Sequence, residues 1–113
     1  MMRRTAHQLV QALHAAKTST QKANAFYDLA VFHDNNNRES EAIPFYQKAI
    51  RLGLGRKIET MARAWLASSL YKTGNIPEAK KQCERAQKMA RDPELLKFLE
   101  GLHGRIHGRM NPK

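Results

Sequence analysis

His103 and His107 stand four residues apart, the spacing that sets two imidazoles on one helix face where a metal could bridge them. Two ligands are too few for structural zinc, which takes four, and the glutamate that metalloproteases place between such histidines is missing. Gly101, Gly104 and Gly108 each weaken a helix there by about 1 kcal/mol, so the pair is expected on a fraying tail without a metal. Cys83 is the sole cysteine, which excludes an internal disulfide and any multi-cysteine zinc site and fits a reducing compartment. At a core position its thiol acts as a small hydrophobe and not as a nucleophile. No glycine-rich phosphate loop, Ser/His/Asp set or paired inward carboxylates stand at an informative spacing, so neither an enzyme nor a cofactor is expected.

Charge is the other chemistry on offer. The chain carries a net charge of +10 with a pI near 10.2, and both ends are basic while the middle is nearly balanced. Lys80, Lys81, Arg85, Lys88 and Arg91 recur closely enough to helical spacing to make a stripe on the outer face of one helix, and such a stripe can neutralise phosphates. A solvated helix face is the plain reading and is favoured. An acidic protein partner ranks next and nucleic acid last, because no recognition-helix, RRM or KH signature accompanies the charge.

The elements that must position these residues are helices. Ala, Leu, Lys, Arg, Glu and Gln dominate, while β-branched residues are few and never alternate over a strand length. The stretch from Phe26 to Leu54 aligns with that from Arg63 to Arg91 at a constant offset of 37 residues, matching Leu29 to Leu66, Ala30 to Ala67, Ala42 to Ala79, Tyr46 to Cys83 and Ala49 to Ala86. Apolar residues recur at three- and four-residue steps in both copies, with breaks at Asn35-Asn36-Asn37 and Thr73-Gly74-Asn75, so each copy reads as an antiparallel helix pair. Pro44 and Pro77 are both placed near the start of a second helix, where amides lack intrahelical partners. Asp92-Pro93-Glu94 reads as the capped start of a last helix with Leu95, Leu99, Leu102 and Ile106 on one face and Phe98 beside it. Val10, Leu13 and their neighbours are expected to cover the first pair as that helix covers the second, and Ser19 or Thr20 to cap the helix between. The expectation is one all-α domain of about six helices: an N-terminal helix over about 4–17, helix pairs over about 20–54 and 56–91, and a capping helix over about 93–108.

Leu29-Ala30, Ala42, Tyr46 and Ala49, with Leu66-Ala67, Gly74, Ala79 and Ala86, resemble the tetratricopeptide repeat. Cys83 replaces the aromatic of that pattern, Arg63 stands where a bulky aromatic is common, and the offset exceeds the usual repeat of about 34 residues. The stretch EAIPFYQKAIRLGL leading into an Arg/Ala-rich helix looks like a family of small, mostly uncharacterised bacterial tetratricopeptide proteins. The resemblance runs over roughly Ala23 to Leu102.

It implies a right-handed superhelical stack that binds a protein or peptide partner in a concave groove lined by the first helix of each pair. Projected here, that face carries Tyr27, Val31, Asp34 and Asn35, then Met61, Ala64, Trp65, Ser68, Tyr71 and Lys72. Tyr and Trp anchor interfaces well, although a lone Trp serves packing more often. Where a carboxylate clamp would place lysines and asparagines, Tyr27, Val31 and Trp65 stand instead, so a mixed hydrophobic peptide or helix is the expected guest. A second copy of the chain is an alternative occupant, since two repeats are fewer than the three such stacks normally need. No membrane-spanning or secretory run is present, and a cytoplasmic protein is expected in preference to one with an organelle transit peptide, despite the acid-free basic start. The competing function is a nucleic-acid-associated protein using its basic ends. Phosphate-driven binding weakens steeply with salt, so absence of DNA or RNA binding at low salt removes that alternative.

Overall fold

The structure, a computed structural model, describes residues 4–110; Arg3 and Lys113, counted with the basic ends, and the first residues of the basic start lie outside them. All regular elements among the described residues are helices: α1 Ala6–Ala15, α2 Ser19–Asn35, α3 Glu39–Leu52, α4 Arg56–Lys72, α5 Ile76–Met89 and α6 Pro93–Met110. The arrangement is an all-α helical repeat. Two compact units divide between Leu54 and Gly55, the first holding α1 to α3 and the second α4 to α6.

Reciprocal caps start the first two helices. Thr5 accepts from the Gln8 amide at 3.2 Å while Gln8 accepts from the Thr5 amide at 2.8 Å, and Thr18 with Gln21 repeats the pattern. The cap of α2 is therefore Thr18 and not Ser19 or Thr20, because only Thr18 has a glutamine three residues on. Arg4 pairs with Asp28 and ties the start of the chain to α2. On α1 the buried residue is Leu9, with Leu13 half-buried, whereas Val10 is 42% exposed. Val10 sits one residue, and so about a quarter-turn, off the packed face.

Both helix pairs close through the same turn. The Arg38 amide bonds the His33 carbonyl and the Asn37 amide the Asp34 carbonyl; 37 residues later Asn75 bonds Leu70 and Gly74 bonds Tyr71. These are Schellman turns, and the left-handed residue that each requires is Asn37 (φ 60°) in one and Gly74 (φ 89°) in the other. Every core pair matched at the offset is buried in both copies, from Leu29 and Leu66 to Ala49 and Ala86.

Pro77 lies in the first turn of α5, as expected, but Pro44 is the sixth residue of α3. It leaves the Ser40 carbonyl without an intrahelical donor, and because both residues are exposed, water can take that role.

The copies differ most at Phe26 and Arg63, which the offset equates. Phe26 stacks on Phe45 at 6.0 Å between ring centres, whereas Arg63 donates to Gln82, the counterpart of Phe45, at 2.8 Å. Arg63 also pairs with Glu59 at 2.8 Å, and Gln82 donates to Glu78 at 3.0 Å. One seam is thus apolar and the other a polar chain at the same position between two helices. Arg63→Phe alone should cost about 1–3 kcal/mol by stripping Gln82 and Glu59 of a partner, and adding Gln82→Phe should recover most of it. Urea unfolding of both variants checks this.

Candidate partner-binding site

The second unit contains a pocket of about 790 Å³ at the N-terminal half of α4, beside the link from α5 to α6. Gly55 is the N-cap of helix α4 and adds no side-chain cap, and Arg56 in the first turn reaches the Met89 carbonyl at the end of α5 at 3.4 Å. Ala90 turns the chain into extended backbone, and the Asp92 carboxylate then accepts the Leu95 amide at 3.1 Å to start α6. The sequence expectation for this cap holds.

Helix α6 is seated by Leu99, Leu102 and Ile106, all fully buried, and Cys83 Sγ donates weakly to the Leu99 carbonyl at 3.5 Å. Burial pushes the Cys83 thiol up to about 11, which keeps it protonated. This packing carries the helix past its three glycines to Met110. His103 lies in the middle of α6, with Nε2 3.0 Å from Glu84 Oε2 on α5.

The pocket floor consists of Met61 and Trp65 from α4, Met89 from α5, and Leu95 and Phe98 from α6. Trp65 and Phe98 meet edge to face at 5.2 Å, a favoured aromatic geometry. All five side chains are half-buried, each keeping part of its surface open. Arg56, Lys57, Arg91, Asp92 and Glu94 are exposed around them.

Of the groove residues projected from sequence, Met61 and Trp65 line this pocket. Ser68 is half-buried further along α4, and Tyr71 lies under Arg109 of α6 at 5.6 Å, while Lys72 is exposed at the helix end. In the first unit Tyr27 packs against Tyr46 at 6.1 Å and Val31 is half-buried. The Asp34 carboxylate accepts the hydroxyl of fully buried Tyr46 at 2.9 Å, so Asp34 holds α2 to α3. Burial and the Asp34 charge raise the Tyr46 phenol far above its ordinary range. The lining residues Met89, Leu95 and Phe98 were not assigned to binding from sequence; the only signal was Phe98 standing beside, and not on, the packed stripe of α6.

The basic stripe is broken in two ways. Glu84 stands between Lys80 and Lys88 on α5, within 3.9 Å of Lys80 Nζ, and Arg91 lies past the helix end on the pocket rim. Lys81, Arg85 and Lys88 remain exposed on α5.

A family profile, the tetratricopeptide repeat, matches residues 23–52, which cover most of α2 and all of α3. The chain carries a tetratricopeptide repeat. The second unit repeats its core positions, its turn and its helix order, with Cys83 and Arg63 in place of aromatics. No curated protein and no solved structure matches the chain. Repeats of this family generally mediate protein–protein interaction. No helix among the described residues is long and apolar enough to cross a membrane.

The His103 hydrogen bond, with Lys80 and Lys88 nearby, holds the Glu84 carboxyl below the ordinary glutamate range. The stability this gives is present above the ordinary glutamate value and is lost as pH falls through the lowered one. The Tm of wild type should therefore exceed that of Glu84→Gln near neutrality, and the gap should close below a pH of about 4. Thermal melts followed by circular dichroism at several pH values check this.

Proposed function

We propose that this protein is an interaction module that binds an apolar peptide or partner helix on the face of α4, with the pocket around Met61 and Trp65 as its anchor point. Five large apolar side chains held half-buried around one pocket support this reading most directly, since a monomer gains by burying them and a partner can do so. Their types fit: aromatic residues, Met and Arg are those enriched in the cores of interfaces. Ser68, Tyr71 and Lys72 extend the same helix face toward its C-terminal end, and Tyr27 and Val31 offer a comparable face on α2.

The test is an array of short peptides probed with the labelled protein. Peptides with paired Leu, Phe or Met side chains should be retained above polar ones. Met61→Ala should weaken that retention about tenfold, with helicity unchanged by circular dichroism. Tyr71→Ala should weaken it if the guest runs along the whole helix. Retention of no apolar peptide would exclude the reading.

A further inference from the structure

The pocket has a chemical polarity that narrows its partner. Arg56, Lys57 and Arg91 stand around the apolar floor, all exposed. The opposing carboxylates are Asp92 and Glu94, and Asp92 is already accepting the Leu95 amide at the start of α6. Arg56 spends one N–H on the Met89 carbonyl, a neutral group, and so keeps its charge for a guest. Among the described residues, Lys57 and Arg91 have no carboxylate partner. Three cations against two acids, on a chain of net charge +10, give this rim a positive field that attracts anionic segments and repels basic ones.

Resting on the reading above, we propose that the pocket binds an acidic amphipathic segment of a partner protein. A Leu or Phe side chain of that segment enters over Trp65 and Phe98, and adjacent Asp or Glu carboxylates meet Lys57, Arg91 and Arg56. The floor favours a protein segment over a free fatty acid: its five apolar side chains are spread across three helices and each stays partly open, whereas small-molecule sites enclose most of their ligand. Two methionines in the lining let it reshape around different apolar side chains.

Trp65 is the only tryptophan, so its emission reports on this pocket alone. The experiment titrates the full chain with an amidated peptide holding a Leu and a Phe three residues apart among Asp and Glu. The matched Asn/Gln peptide, the matched Lys peptide, decanoate and a single-stranded oligonucleotide are titrated in parallel. The acidic peptide should shift Trp65 emission saturably and bind about tenfold more tightly than the Asn/Gln peptide, with the advantage shrinking as salt rises. Lys57→Glu with Arg91→Glu, both at exposed positions, should abolish that advantage and admit the Lys peptide instead. Equal binding of the acidic and Asn/Gln peptides would overturn the acidic preference and leave peptide binding standing. Binding of no peptide would overturn both. Saturation by decanoate or by the oligonucleotide in place of the peptides would overturn the assignment of the partner.

Discussion

Two helices can run close together only where the residues between them are small, and the rest of this structure follows from that constraint. Ala30, Ala42 and Ala49 are fully buried in the first unit and Ala67, Ala79 and Ala86 in the second. An alanine at each contact lets the backbones approach, and larger residues then fill the space beside it. Tyr46 fills it in one pair. In the other, Cys83 is smaller, and α6 moves its backbone up against the thiol at Leu99. The same shortened side chain that departs from the repeat pattern gives α6 its seat.

The seating of α6 builds the candidate site. Leu99, Leu102 and Ile106 face inward, which turns Phe98 and Leu95 toward α4 and brings Phe98 to the edge of Trp65. The pocket is therefore a by-product of how the last helix packs, not of the helix pair alone. Around it the charges come from the elements' ends: Arg56 and Lys57 from the first turn of α4, Arg91 and Asp92 from the link before α6. Helix ends are where such side chains are least committed to packing. An apolar floor with a charged rim results without any residue being spared from the core.

The two copies also show how one inter-helix position accepts different chemistry. Phe26 against Phe45 and Arg63 against Gln82 occupy equivalent places. The first gains by burying apolar area, while the second depends on paired donors and acceptors, to which Glu59 and Glu78 contribute. Geometry is conserved between the copies while the source of cohesion is not.

Much of this was legible in the sequence. Helix type, the two turns, the buried alanines and the Asp92 cap follow from local rules: spacing of apolar residues, left-handed turn residues and side chains able to bond nearby amides. Where local rules were ambiguous, they failed in local ways, as with Val10 counted on the packed face and Pro44 placed too near a helix start. The site was only half legible. Met61 and Trp65 could be projected from a repeat pattern, but Met89, Leu95 and Phe98 come from segments far along the chain. Asp34 and Arg91 read as a groove residue and part of a stripe, yet one holds a buried tyrosine hydroxyl and the other stands on the pocket rim. Sequence periodicity assigns a residue to a face of its own helix. Which neighbour that face meets depends on how helices distant in the chain pack, and only the tertiary structure decides it.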